Sequence, residues 1–203
     1  GKFTVGTVTA AGLLGALSPR FAEAQQVAVD NPRIDGRYVE YDSPKGYETA
    51  RGYLVRPLEA SEPLPLVLVV HENRGLNPHI EDVARRVALA GFIALAPDAL
   101  FPLGGYPGDE DQARALFPKL EQPKAFEDFI AATQFLRTQP GNNGRLGVVG
   151  FCYGGAISNR LAAALPDLAA AVPFYGSAPA LESVGAIKAE LLLHFAANDE
   201  RVN

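Results

Sequence analysis

The sequence predicts an α/β fold, in which helices cover both faces of a mostly parallel sheet. Short apolar runs alternate with amphipathic segments along most of the chain. In the clearest run, residues 64–70, every residue is apolar, as expected for a strand that is buried on both faces. With 203 residues, 48% of them hydrophobic, the chain can bury the core that one such domain needs.

The predicted elements follow one another in a regular order. Residues 37–41 and 50–55 alternate in polarity around Ser43-Pro44-Lys45-Gly46, which predicts an antiparallel hairpin at a sheet edge. The strand at 64–70 comes next. The remaining predicted elements are helix 80–90, strand 92–96, a helix after residue 123 that ends near 138, a strand before residue 152, helix 154–165, strand 169–174 and strand 190–195.

Composition and charge exclude several classes of function. A net charge of −5 and a pI near 5.2 give no electrostatic reason to expect binding to nucleic acid or to an anionic membrane surface. A single cysteine excludes an internal disulfide, and with three scattered histidines it does not form a zinc site. The sequence therefore predicts neither a metal nor an organic cofactor.

The first 35 residues are predicted to be an N-terminal extension of the α/β domain at 36–203. Residues 3–17 are small or apolar and uncharged, and Ala22-Glu23-Ala24 has the Ala-x-Ala form of a cleavage site. The apolar stretch is short and rich in glycine for a transmembrane helix. Two interpretations stay open: an export signal, which would place the protein in the periplasm, or a helix that packs on the domain of a cytoplasmic protein.

The chain is organised around Gly150-Phe151-Cys152-Tyr153-Gly154-Gly155, where a buried strand is predicted to turn abruptly into a helix. Glycines two residues either side of Cys152 allow strand and helix to meet closely and force the cysteine into a positive-φ conformation. The helix dipole and N–H groups would favour the thiolate. The structural alternative is that Cys152 is a small buried hydrophobic residue.

Counting strands gives the fold a second test. Cys152 follows the fifth predicted strand, and Asp199 follows the seventh. An α/β-hydrolase carries its nucleophile and its acid in these positions, in the order nucleophile, acid, histidine. The sequence therefore predicts the α/β-hydrolase fold. Without the strand count, Asp199 would be interpreted as the cap of a following helix.

Three motifs together resemble the dienelactone hydrolase (carboxymethylenebutenolidase) family, in particular its branch with a His-Glu-Asn-Arg-Gly loop and an N-terminal extension. The motifs are Gly150-Phe151-Cys152-Tyr153-Gly154-Gly155, His71-Glu72-Asn73-Arg74-Gly75-Leu76-Asn77 and His194-Phe195-Ala196-Ala197-Asn198-Asp199. The resemblance covers residues 36–203. It implies an α/β-hydrolase that cleaves a small ester or lactone through a Cys-His-Asp triad and an acyl-enzyme intermediate.

The resemblance also implies roles for individual residues. Cys152 is the nucleophile, Asp199 is the acid that orients the histidine, and Glu72 contacts the nucleophile in the resting enzyme. The backbone N–H groups of Tyr153 and Asn73 match the two oxyanion donors. Read from the sequence alone, Glu72 could instead be a solvated loop carboxylate.

Substrate-binding candidates and histidines are less sharply defined. Arg74, Tyr106 and Arg201 are candidates for contacts with substrate, although both arginines could be solvated loop residues. His71 is expected to make loop hydrogen bonds, His79 to start a surface helix and His194 to pack in the core, since it lies inside the seventh strand. None matches the triad histidine, which is expected beyond residue 203 together with the last strand and helix of the fold.

Two further classes of function remain open at this stage. The chain could be a catalytically inactive scaffold or small-molecule binder that keeps the fold. It could also be a thioesterase or peptidase, because the elbow specifies acyl transfer and not the leaving group. The expected partner is a small ester or lactone, with no nucleic acid and no stable membrane insertion, and the sequence leaves the oligomeric state open.

Overall fold

The computed structural model describes residues 25–202 and confirms the α/β architecture. The N-terminal segment before residue 25, with its alternative interpretations, lies outside these residues. The described strands are β1 (Ile34–Ser43), β2 (Glu48–Pro57), β3 (Leu64–Val70), β4 (Ile93–Pro97), β5 (Asn142–Phe151), β6 (Ala170–Phe174) and β7 (Glu190–Leu191). They form one sheet in the order β1-β2-β4-β3-β5-β6-β7. The β1–β2 hairpin is antiparallel, as predicted, and β3 to β7 run parallel to one another.

Helices connect the parallel strands. They are α1 (Pro78–Leu89), α2 (Glu110–Leu116), α3 (Gln122–Arg137), α4 (Tyr153–Ala164) and α5 (Leu181–Val184), with one-turn 3-10 helices at Phe101–Leu103 and Phe117–Lys119. Helix α2 was not predicted. It begins at Asp109, whose carboxylate accepts a hydrogen bond from the Gln112 N–H at 2.8 Å, and this N-cap is a sequence signal that the glycine-rich context obscured.

The alternation of side chains along each strand divides the core into two layers. Leu66, Leu68 and Val148 face α3 and α4, whereas Val69 and Val55 face α1. This arrangement is why β3 reads as a continuous apolar run in the sequence. On the α1 side, residues 25–202 leave part of the sheet uncovered, and the half-buried residues Val67, Val149, Ala170 and Val172 line an apolar cavity of about 410 Å³.

The last described strand differs from its prediction. The strand expected at 190–195 pairs with β6 only at Glu190–Leu191, and a single further bridge joins His194 to Phe174. As an edge strand it has one neighbour, and Leu192 (58%) and Leu193 (49%) are exposed on alternate sides. Core packing of His194 was therefore a wrong prediction: the residue is exposed, and its ring stacks on Phe174 with centroids 4.2 Å apart.

Candidate active site

The turn after β5 has the strained geometry that the flanking glycines predicted. Cys152 has φ 54° and ψ −111°, and it is a free, half-buried thiol immediately before α4. Its N–H donates to Phe174 O at 3.0 Å, and its carbonyl accepts the first-turn hydrogen bond from Ala156 N at 3.1 Å. Positive φ in a residue other than glycine is costly and persists only where its surroundings impose it. Here the neighbouring strand and the helix hold both sides of the residue.

Close contact between strand and helix explains the glycines. A Cβ at Gly150 would lie 2.0 Å from Gly154 O, and one at Gly154 would lie 2.2 Å from Val70 O. Both obstacles are backbone atoms, which cannot rotate away as a side chain could. Only glycine therefore lets the first turn of α4 rest against β3 and β5, with its positive end directed at the thiol.

Three residues lie just beyond the carboxyl ends of neighbouring strands: Glu72, Cys152 and Tyr175. In the sheet, Val70 of β3, Gly150 of β5 and Pro173 of β6 stand side by side. Glu72, Cys152 and Tyr175 each follow one of these residues by two positions. The Tyr175 hydroxyl donates a hydrogen bond to Glu72 Oε1 at 2.8 Å. Since β5 lies between β3 and β6, this bond reaches across the end of the strand that carries Cys152.

Tyr175 was not singled out from the sequence. It is 37% exposed and has φ 39°, so it shares with Cys152 a backbone conformation that is unusual outside glycine. Burial raises the pKa of its phenol, and the Glu72 hydrogen bond and the negative charges of Glu72 and Cys152 raise it further. The register of β6 against β5 is the signal that could have found it, because that register places it level with Cys152.

The two backbone groups expected to bind an oxyanion belong to the first turn of α4 and to the loop after β3. Tyr153 is the first residue of α4, so its N–H has no partner within the helix. Asn73 follows β3 in a turn that Gly75 N closes on Glu72 O at 3.4 Å. Gly75 has φ 74°, and the Arg74 guanidinium donates to Asn73 Oδ1. The loop that carries Asn73 is thus held by its own side chains.

Glu110 joins two of the three substrate-binding candidates. Its carboxylate accepts from the Tyr106 hydroxyl at 3.0 Å and lies 3.4 Å from Arg74 Nε. It also accepts from Asn77 Nδ2 at 3.1 Å, which ties α2 to the start of α1. Burial and the hydrogen bond that its hydroxyl donates to Glu110 raise the pKa of Tyr106 to about 12. Arg201, the third candidate, is exposed and does not join this cluster.

Asp199 does not meet Cys152 in this structure. It is half-buried, and its Oδ1 accepts a hydrogen bond from the Arg201 N–H at 3.0 Å within its own turn. Among residues 25–202, no hydrogen bond joins its carboxylate to a histidine or to the thiol. Residues 200–202, which follow Asp199, form turns.

His71 is structural, as expected from its position at a strand end. It is fully buried, and its Nε2 accepts a hydrogen bond from Ala99 N–H at 3.1 Å. Its proton therefore lies on Nδ1, which is 2.5 Å from the carbonyl oxygen of Glu72. Burial lowers the pKa of His71, so the ring is neutral and connects the β3 loop to the β4 loop. His79 lies half-buried in the first turn of α1.

Two further searches concern the described part of the chain. Within it, no group of three or more histidine, cysteine or acidic side chains is arranged to hold a metal ion. No helix of residues 25–202 combines the length and the apolar character that are needed to cross a membrane.

The strand order, with a glycine-flanked cysteine at the sharp turn after the fifth strand, defines the fold as that of an α/β-hydrolase. A family model described as "Dienelactone hydrolase family" matches residues 50–203, more than half of the chain. The protein therefore belongs to the dienelactone hydrolase family.

Curated relatives support the same family. A protein of Escherichia coli K12 named "Putative hydrolase fragment YghX" is 56% identical over 54% of this chain and 93% of its own length. A "Putative carboxymethylenebutenolidase" of the same strain is 37% identical over 61% of this chain and 47% of its own length. One from Methylorubrum extorquens is 32% identical over 86% of this chain and 60% of its own. The chain thus spans about half the length of these carboxymethylenebutenolidases.

Solved structures agree with the sequence relatives. A crystal structure described as a "Putative Dienelactone Hydrolase" from Klebsiella pneumoniae is 26% identical, with a TM-score of 0.62 over 80% of this chain and 87% of that one. A dienelactone hydrolase-like promiscuous phosphotriesterase, P91, is 27% identical with a TM-score of 0.68 over 84% and 72%. An acylaminoacyl peptidase of Pyrococcus horikoshii, at 17% identity and TM-score 0.57 over 79% of this chain and 32% of that one, shares the fold.

Proposed function

We propose that the protein hydrolyses a small ester or lactone through a covalent intermediate on Cys152. One observation carries this proposal: a free thiol with φ 54° precedes the first N–H groups of α4, and the Glu72 loop lies at the same end of the sheet. A nucleophile that is held clear of the strand beside unpaired N–H donors suits attack on a carbonyl carbon. Family membership supports the same reaction.

In the proposed reaction, Cys152 attacks as the thiolate. The new S–C bond forms a tetrahedral oxyanion, which the N–H groups of Tyr153 and Asn73 stabilise. Collapse of this species breaks the C–O bond, and the alkoxide takes the proton that the thiol lost and leaves as the alcohol. Water then attacks the thioester, which releases the carboxylic acid and restores the thiol. Donors of this kind commonly contribute a factor of about 100 to 1000 in rate.

Glu72 and Asp199 have separate roles in this proposal. Glu72 accepts a hydrogen bond from the resting thiol, since it follows the strand next to the elbow. Asp199 orients a triad histidine, which is not one of the three histidines of this sequence, because His71 is committed to its loop and His194 stacks on Phe174. Arg74 and Tyr106, which Glu110 holds together, line the substrate site in this proposal. Arg201 would contact substrate only if its loop moves.

The direct test is hydrolysis of an activated aryl ester and of a dienelactone by the full-length protein. Cys152→Ala is expected to abolish turnover, and mass spectrometry after brief exposure to ester is expected to find the acyl group on Cys152. Gly147→Ala, on the far side of the same strand, is the control for general effects of substitution. Unchanged hydrolysis by Cys152→Ala would remove the nucleophile from the proposal.

A second candidate is a small-molecule binder without turnover. The observation that favours it is the hydrogen bond of Asp199 to its own turn, which leaves the acid away from the thiol. Absence of both turnover and acylated Cys152, together with ligand-induced stabilisation, would support binding alone. Thioesters, peptides and phosphotriesters should be included among the substrates, since the elbow specifies the nucleophile and not the leaving group.

A further inference from the structure

Tyr175 makes a contact that core packing does not require. Its ring is 37% exposed, its φ is 39°, and its hydroxyl reaches Glu72 Oε1 at 2.8 Å. An observed backbone outlier beside a reactive group is a reason to look for a functional role. The chain holds this tyrosine in a costly conformation, in which its N–H donates to His194 O at 2.8 Å and its hydroxyl reaches Glu72.

The sheet register decides where this hydrogen bond runs. Adjacent strands are about 4.8 Å apart, so the ends of β3 and β6 are separated by about 10 Å, with the end of β5 between them. Glu72 and Tyr175 each lie two residues beyond in-register positions of β3 and β6, and Cys152 lies two residues beyond the matching position of β5. The Tyr175 to Glu72 bond therefore spans the elbow, and it engages Oε1 of the two carboxylate oxygens of Glu72.

We propose that Tyr175 is a positioning residue that holds the Glu72 carboxylate over the elbow and shares its negative charge, so that less of this charge opposes ionisation of Cys152. This inference rests on the proposed role of Cys152 as nucleophile. A phenol that donates to a carboxylate stabilises the charged form of that carboxylate and fixes its orientation. The raised pKa of Tyr175 is consistent with this, because it keeps the phenol protonated and able to donate.

Removing the hydroxyl has a defined direction of effect. In Tyr175→Phe, Glu72 loses a donor and turns its charge and its acceptor atoms toward the thiol. Both changes stabilise the protonated thiol, so Cys152 should ionise at a higher pH. The neighbouring elements also carry other charged or titratable groups, namely His71 and Arg74 beside Glu72, Tyr153 and Arg160 on α4, and His194 on the strand next to β6. None of them is altered by this substitution.

Alkylation of Cys152 by iodoacetamide measures the thiolate directly, since this is the one cysteine of the sequence. The alkylation rate rises with pH along a titration curve. For Tyr175→Phe we expect the midpoint of this curve to move up by about 0.5 to 1 pH unit, and the alkylation rate at pH 7 to be about three- to tenfold lower than in the wild type. Glu72→Gln should move the midpoint to lower pH. If Tyr175 acts through Glu72, the double variant should match Glu72→Gln. The control is Tyr38→Phe, which removes a tyrosine bonded to Glu81 at a site remote in sequence.

Several outcomes would overturn the inference. An unchanged alkylation profile in Tyr175→Phe, or an equal effect of this substitution in the Glu72→Gln background, would show that Tyr175 does not act through Glu72. If Tyr175→Phe fails to fold, Glu72→Gln alone still tests the contact, because it should lower the pH at which Tyr175 gains phenolate absorbance. Alkylation does not depend on turnover, so failure of the hydrolysis proposal would be seen separately, in the esterase assay of Cys152→Ala.

Discussion

Gly150 offers the sharpest test of how the elbow is built. In Gly150→Ala the new Cβ would lie 2.0 Å from Gly154 O and 2.6 Å from Ser158 Oγ, whereas ordinary contacts begin at 3.4 Å. The carbonyl belongs to the first turn of α4, so the helix must move away from β5. Overpacking of this kind costs about 3 kcal/mol. For a domain of this size, we expect the melting temperature to fall by about 6 to 12 °C.

A matched substitution lies three residues earlier in the same strand. In Gly147→Ala the nearest atom to the new Cβ is Ala170 O at 3.5 Å, an ordinary contact on the open side of the sheet. Its free energy of unfolding should stay within about 1 kcal/mol of the wild-type value. Both variants can be compared by thermal unfolding followed by circular dichroism. A melting temperature for Gly150→Ala that equals that of Gly147→Ala would refute the argument that strand and helix touch at Gly150.

Three further predictions concern stability and the substrate site. Arg51→Met leaves the buried carboxylate of Asp98 without its partner at 2.7 Å, so the free energy of unfolding measured in urea should fall by about 3 kcal/mol. In the control Arg37→Met, which breaks an exposed pair with Asp35, it should fall by less than about 1 kcal/mol. Burial lowers the pKa of His71 in the folded protein, so its contribution to stability is full above pH 6.5 and is lost as the pH falls below that value. The free energy of unfolding should therefore fall by up to about 1.4 kcal/mol per pH unit in this range. This dependence on pH should be weaker in His71→Gln. Glu110→Gln weakens the contacts that hold Arg74 and Tyr106, so it should raise KM for the ester more than it lowers kcat; an unchanged KM would contradict this role.

Much of the fold follows from local sequence patterns. The run at 64–70 is β3 with the predicted bounds, and the alternating segments before it form the hairpin of β1 and β2. These predictions succeed because burial on one or both faces imposes a period that the residues themselves display. The seventh strand is the exception, since the same apolar pattern at 190–195 gives only a short ladder at the edge of the sheet. Apolar character indicates that a segment can be buried, and it does not say which neighbour is present to bury it.

The candidate site was only partly predictable, for a related reason. A motif such as Gly150-Phe151-Cys152-Tyr153-Gly154-Gly155 carries its own geometry, because glycines and a tight turn act over a few residues. Tyr175 and Glu110 carry no such local sign. Tyr175 reaches Glu72 across 103 positions of sequence, and Glu110 reaches Arg74 from a helix that the glycine-rich loop obscured. Their importance depends on which strands and loops are neighbours.

Once the strand order is known, the register narrows the search for such residues. In a parallel sheet the carboxyl ends of adjacent strands lie at one edge. Residues that follow paired positions of these strands by the same number of residues are therefore brought side by side. Counting two positions beyond this row in β3, β5 and β6 gives Glu72, Cys152 and Tyr175. The first two were found by motif and the third by position alone. The hydrogen bond between Tyr175 and Glu72 is what turns this coincidence of register into a physical connection across the thiol.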